Sequence, residues 1–171
     1  INGEIPSKIL NIGTKQAEEA LLWWKDLFGE DFYLEVMRHG QQEEDHINSV
    51  LVEFSKKHQV KLIATNNTFY IHKKDASAHD ILLCVKDGEK QKTPIGRGRG
   101  YRFGMPNDEY YFKTSAEMKA LFKDIPQAIL NIQEIIDKVT PYGLARDILL
   151  PKFDIPEPFQ VADDPTGKKG E

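Results

Sequence analysis

Apolar residues recur at helical spacing over Thr14–Gly29, where Ala17, Ala20, Leu21, Trp24, Leu27 and Phe28 fall on one stripe. Gly29 stands where a left-handed residue closes such a helix. The run Phe32–Met37 (FYLEVM) is rich in aromatic and branched side chains and predicts a strand. Helical spacing returns over Glu43–Lys57, with Ile47, Val50, Leu51 and Phe54 as the apolar face and the charges opposite. Val60–Ala64 (VKLIA) predicts a second strand, which ends in the polar turn Thr65-Asn66-Asn67-Thr68. A third helix is predicted over Asp75–Lys86 on Ala78, Ile81, Leu82 and Val85, with Gly88 beyond its end. This alternation is the rhythm of a parallel α/β sheet or barrel. Two strands are too few to close a barrel or to build a covered parallel sheet.

Lys86–Glu109 lacks periodicity and contains the glycine- and arginine-rich stretch Gly96–Gly104. After the short apolar run Tyr110-Tyr111-Phe112, Thr114-Ser115-Ala116-Glu117 fits a capping box for a short helix through Met118, Leu121 and Phe122. Pro126 suits the first turn of the next helix, whose stripe is Ile125, Ile129, Ile132, Ile136 and Val139. From Pro141 the composition shifts: five of the nine prolines lie in the last 31 residues, and Ala162–Glu171 has the composition of a linker or tail. No internal repeat is found.

Composition narrows the class. The 171 residues are 40% apolar, enough for a core without metal or disulfide staples, and fit one domain. The net charge of −4 argues against attachment to nucleic acid or membrane by bulk positive charge. No apolar run is long enough to span a membrane, and no signal peptide opens the chain. The single cysteine, Cys84, can form no internal disulfide, and a cytoplasmic location is expected. The chain begins with Ile1 rather than Met, which reads as processing or as a cut from something longer.

In parallel α/β folds the chemistry sits just past the C-terminal ends of strands. Here those positions hold Arg38-His39 and Asn66-Asn67-Thr68-Phe69. His39 is a candidate ligand or general base, although a solvent-facing loop histidine is the favoured reading. Asn66 and Asn67 either bind a polar group or simply form the turn. The five histidines form no HxH or HExxH arrangement, so no local metal motif is present. His79-Asp80 is a candidate acid/base pair but is expected at the surface, and Glu43-Glu44-Asp45 and Asp163-Asp164 read as solvated runs. Gly96–Gly104 lacks the preceding strand and following helix of a phosphate-binding loop. Arg97, Arg99 and Arg102, with Tyr101 and Phe103, are candidate contacts to nucleic acid, against a favoured reading as a flexible, solubilising loop. Cys84 is expected as a buried small hydrophobe, Trp24 on the core stripe and Trp23 at its edge.

Several stretches, in order, resemble one family. They are GEIPSKILNIG (Gly3–Gly13), FYLEVMRHG (Phe32–Gly40), KLIATNNTFY (Lys61–Tyr70), AHDILLCVKDG (Ala78–Gly88), YYFKTSAEMKALFKDIPQAILNIQEI (Tyr110–Ile135) and DILLPKFDIPEP (Asp147–Pro158). Together they are similar to the C-terminal part of the PHP (polymerase and histidinol phosphatase) domain of bacterial DNA polymerase III α subunits. The resemblance implies an α/β fold, a partial distorted β/α barrel of the PHP type over residues 1–140, followed by an extended Pro-rich linker toward the polymerase palm over residues 141–171. It places the family's earlier strands and HxH motifs before Ile1 and the palm carboxylates, with their Mg²⁺, after Glu171. Metal-binding members read A-T-N-D-x-H-Y at the second strand's end. Here Asn67 stands in place of that Asp and Phe69 in place of that His. An amide is a poorer ligand than a carboxylate and a phenyl ring is none. The resemblance therefore implies a degenerate metal site, no cofactor or catalytic residue in these residues, and a structural or partner-binding role. DNA, deoxynucleotides, the proofreading exonuclease subunit and other replisome subunits are the implied partners of the parent polymerase. A PHP-type phosphoesterase or 3′–5′ exonuclease, and a pure interaction module, are the alternatives.

Overall fold

The computed structural model of the chain describes residues 3–145. The expected linker beyond Leu144-Ala145, including Asp147–Pro158 and Asp163-Asp164, lies outside those residues. Residues 1–139 cluster as one unit and residues 140–171 as another.

Helices α1 (Glu4–Asn11) and α2 (Thr14–Phe28) lead into β1 (Tyr33–Val36). Helix α3 (Gln42–His58) crosses back to β2 (Lys61–Ala64), and α4 (Ala76–Asp87) follows. A long irregular segment then reaches α5 (Ser115–Leu121), α6 (Gln127–Leu130) and α7 (Ile132–Lys138). The sheet of the described residues is the parallel pair β1–β2, in register from Tyr33↔Lys61 to Val36↔Ala64. Strand alternation buries Leu34, Val36, Leu62 and Ala64, in one cluster with Ile5, Ala17, Leu21, Ile47, Leu51, Phe54 and Phe122. The mixed α/β class and both strands agree with the sequence-based expectation.

Four local expectations need correction. Helix α1 has no counterpart in the predicted elements, yet it buries Ile5 and Ile9, one turn apart. Gly29 has positive φ (57°) but ψ of −124°, so it opens a single 3₁₀ turn, Gly29–Asp31, rather than adopting the left-handed helical cap. Leu27 and Phe28 are exposed rather than buried on the α2 stripe. The last predicted helix is two helices. At their junction the Asn131 side chain donates a hydrogen bond to the Leu62 carbonyl of β2 at 2.8 Å. Other local signals behave as expected. Gly88 closes α4 in the left-handed conformation (φ 68°, ψ 23°), and Thr114 and Glu117 form the capping box of α5.

Polar side-chain pairs add to the apolar packing that ties the last helices to the sheet. Tyr33 donates to Glu134 at 2.8 Å and Lys61 donates to the same carboxylate at 2.6 Å. Lys61 first, then Tyr33, hold the Glu134 pKa down at about 2. Arg38, just past β1, forms a two-pronged pair with Asp124 (2.6 and 2.8 Å) and donates to the Leu121 carbonyl. Its guanidinium lies 5.0 Å from the centre of the Phe122 ring. Phe122 is fully buried and lies between the sheet cluster and this pair.

Replacing Phe122 by Ala is expected to destabilise the fold by about 3–5 kcal/mol, since it opens a cavity and removes the surface under Arg38. Leu27→Ala, at an exposed position, is expected to change stability by less than about 0.5 kcal/mol. Urea denaturation followed by circular dichroism separates the two. Equal effects would contradict this placement of the core.

Candidate functional site at the strand ends

Parallel pairing brings the chain segments after β1 and β2 side by side, and His39 and Asn67 meet there. His39 is 1% exposed, which corrects the expectation of a solvent-facing loop histidine. Its ring stacks on Tyr110, with centroids 4.3 Å apart and planes 6° from parallel. The backbone N–H of Asn67 lies 3.3 Å from His39 Nε2. An amide N–H only donates, so Nε2 accepts and the ring proton is on Nδ1. Nδ1 then donates to Glu44 Oε1 at 2.7 Å, while the other oxygen of Glu44 accepts the backbone N–H of His39 at 2.5 Å.

Glu44 is thus buried rather than part of a solvated acidic run. Burial alone would raise its carboxyl pKa. The hydrogen bonds from the His39 ring and backbone outweigh that effect and hold it below the ordinary value. Gln41 donates to the Tyr110 hydroxyl, and Asn107 donates to the His39 carbonyl at 2.6 Å. Burial, then the neighbouring Glu44 charge, push the Tyr110 phenol up to about 12.

Asn66 is held as a turn residue. Its side-chain amide donates to the Tyr111 carbonyl and the Thr68 hydroxyl, both at 2.8 Å, and accepts from Lys113 at 3.2 Å. The Lys113 ammonium is buried, lies 4.4 Å from the Tyr111 ring centre and also donates to the Glu109 carbonyl. Asn67 is exposed, and only its backbone engages His39. Phe69 is 46% exposed, with the rings of His79 and Tyr110 at 5.4 and 6.1 Å. The Tyr70 hydroxyl is buried with no hydrogen-bond partner among the described residues.

The strand ends therefore unite His39, Asn66, Asn67 and Phe69, as their spacing implies. Arg97, Arg99 and Arg102 belong to the separate segment after α4. Arg102 is 6% exposed, and its guanidinium grips Asp80 through two bonds of 2.6 and 2.9 Å. This removes Arg102 from the solvent-facing arginines and makes Asp80 an anchor rather than half of an acid/base pair with His79. Cys84 is buried, as expected of a small hydrophobe. Glu44, Gln41, Asn107, Tyr110 and Lys113 are absent from the sequence-derived candidates. Tyr110 lies in a visible apolar run, but no periodicity connects it to His39.

The donors present do not fit a metal ion. Both nitrogens of His39 and both oxygens of Glu44 are already engaged, the Asn67 amide points no charge at the site, and Phe69 has no donor atom. No group of three or more His, Cys, Asp or Glu among the described residues is arranged to hold a metal. The chemistry available at this cluster is that of a closed hydrogen-bonded latch joining two loops.

No family model matches the chain. It is similar, however, to the DNA polymerase III subunit alpha of several bacteria. The identity is 36% over 162 residues with that of Borreliella burgdorferi, spanning 94% of this chain and 14% of the relative. With the Campylobacter jejuni protein it is 40% over 126 residues (74% of this chain, 10% of the relative). With the Thermus aquaticus protein it is 33% over 166 residues (92% and 13%). The chain is thus similar to part of a class of bacterial polymerase subunits. It belongs to the DNA polymerase III α-subunit family, and it spans about one-eighth of the length of these relatives.

Two substitutions test the site, one of them in the latch. Glu44→Gln is expected to cost about 1–3 kcal/mol at neutral pH, because it weakens a buried charge-assisted bond. The folded carboxyl has the lower pKa, so its stabilising effect is complete above the unfolded value near 4.5 and fades as pH falls through the folded value. Denaturation midpoints at pH 7 and in acid should therefore show Glu44→Gln losing less stability on acidification than the parent chain. Tyr70→Phe, which deletes an unpartnered hydroxyl, is expected to be neutral or stabilising by about 1 kcal/mol. A loss of stability there would mean that the hydroxyl has a partner.

Proposed function

We propose that this chain is part of a DNA-directed DNA polymerase α subunit and that it serves there as a structural and partner-binding region with a degenerate PHP-type metal site. The observation that carries this reading is the end of β2. Asn67 and Phe69 stand where metal-binding members of the resembled family carry Asp and His, beside a His39 whose two nitrogens are occupied. A hydrolytic site built on metal-activated water would need those donors free and convergent. The parallel pair β1–β2 is consistent with an arc of a larger β/α barrel, whose remaining strands would belong to other parts of the polymerase.

In this reading polymerisation proceeds elsewhere in the parent protein, on palm carboxylates holding Mg²⁺, with DNA and deoxynucleotides as substrates. The segment contributes surface. Ile81 and Leu82 of α4 are exposed and Val85 is 74% exposed, although the spacing marks them as a packing stripe. An uncovered stripe of this kind supports packing against other protein, with the proofreading exonuclease subunit as the partner that family analogy suggests. No helix among the described residues is long and apolar enough to cross a membrane.

The purified 171-residue chain is expected to incorporate no nucleotide on a primed template, while the full-length parent polymerase does so. Elemental analysis of the chain is expected to find no stoichiometric zinc or manganese. Bound metal together with hydrolysis of a DNA 3′ end or a phosphate ester would overturn the structural reading in favour of a PHP-type phosphoesterase.

A further inference from the structure

Residues 86–104 carry six basic side chains against two acidic ones, a local charge of +4 on a chain whose total is −4. The stretch folds back on itself through backbone hydrogen bonds. Arg102 N–H donates to the Pro94 carbonyl at 2.9 Å, and Gly96 N–H donates to the Arg102 carbonyl at 3.0 Å. Tyr101 N–H closes a turn onto the Gly98 carbonyl at 3.3 Å. Gly98 and Gly100 both have φ of +90°, a conformation that side chains resist. A Cβ on Gly96 would come within 2.4 Å of the Tyr101 ring, and one on Gly104 within 2.7 Å of Ile95. The glycines are thus required by the way the loop packs on itself.

Arg102 fixes this loop to α4. Besides its two bonds to Asp80, it donates to the carbonyls of Thr93, Gln91 and Phe103 at 2.8, 3.1 and 3.2 Å. Its charge is consumed internally. Arg97 and Arg99 differ: both are exposed, and neither has an ion pair or side-chain hydrogen bond among the described residues. Tyr101 and Phe103 are exposed beside them. The fold spends one arginine to hold two others and two aromatic rings outward. Guanidinium groups suit phosphate oxygens, and exposed rings offer stacking faces to unpaired bases.

We infer that the loop Pro94–Gly104 is a contact site for single-stranded DNA, with Arg97 and Arg99 on the phosphates and Tyr101 and Phe103 on the bases. The inference rests on the reading of the chain as part of a DNA polymerase. Arg102 and Asp80 are positioning residues, since they touch the loop and not the nucleic acid.

The test is fluorescence anisotropy of a labelled oligo-dT of about 20 nucleotides with the 171-residue chain, over roughly 50–200 mM salt. The double variant Arg97→Ala/Arg99→Ala is expected to bind about tenfold or more weakly at the low end. Its log–log salt slope should shrink by about 1.4, the counterions of two single-strand phosphates. Phe103→Ala should weaken binding by roughly fivefold or more without changing the slope. Both variants should melt with the parent chain, because the altered side chains are exposed. Absence of oligo-dT binding by the parent chain, or an unchanged affinity and slope in the double variant, would overturn the proposal. So would polyglutamate that binds as tightly as oligo-dT and is insensitive to Phe103→Ala, which would assign the loop to an acidic protein. Primer extension by the full-length polymerase tests the polymerase reading separately, so failure of the loop to bind leaves that result standing.

Discussion

The in-register parallel pairing of β1 with β2 is the constraint on which the other features depend. Parallel strands leave by crossovers, so their C-terminal ends lie on the same side. With Val36 opposite Ala64, the residues three beyond each, His39 and Asn67, stand beside each other. The same pairing puts Leu34, Val36, Leu62 and Ala64 on one face, which two strands cannot cover by themselves. Helices α1, α2, α3 and α6 and the buried Phe122 supply that cover. A slip of one residue would turn Glu35 into the core and Val36 out of it. It would also part His39 from the amide that fixes its tautomer. Register and latch thus enforce each other.

The sequence makes legible what depends on neighbours in the chain. Both strands, the long helices, the capping box at Thr114 and the left-handed Gly88 are local signals, and the structure contains them. Helix α1 escapes notice because it is short and carries Pro6, leaving Ile5 and Ile9 as its whole buried face. The break between α6 and α7 is set by a bond from Asn131 to a carbonyl 69 residues away, which no periodicity can register. Glu44 illustrates the limit at the site. Flanked by Glu43 and Asp45 it looks like one of three solvated acids, and only its position on the inward side of α3 beneath His39 distinguishes it. The strand-end residues are readable from the α/β rhythm. The partners that decide their chemistry, Tyr110 and Lys113, come from a distant segment.

The buried charged groups follow a common rule. A charge removed from water is costly unless its hydrogen-bonding capacity is met. Glu44 receives two N–H groups of one residue, and Arg102 meets a carboxylate and three carbonyls. Lys113 meets an amide oxygen, a carbonyl and an aromatic face. Satisfaction of this kind stabilises a fold, and it also directs those groups toward partners inside the protein. The residues with chemistry to offer are therefore the unsaturated ones at the surface.

The same rule bears on the end of β2 under the proposed reading of a degenerate metal site. In a metal site the cation holds anionic and imidazole donors together and offsets the cost of burying them. A site that does without a cation must offset that cost internally. Here the His39 ring donates directly to Glu44, and a backbone amide, which every non-proline residue supplies, takes the remaining imidazole nitrogen. Position 67 thus needs no carboxylate to hold the latch, because only its backbone is used. Position 69 can carry a phenyl ring because it borders Tyr110 and His79 at the surface instead of converging on an ion. On the proposed reading, the residues at 67 and 69 are ones the hydrogen-bonded geometry tolerates at little cost. A fold retained for its surfaces would accept them, whereas a hydrolase would not.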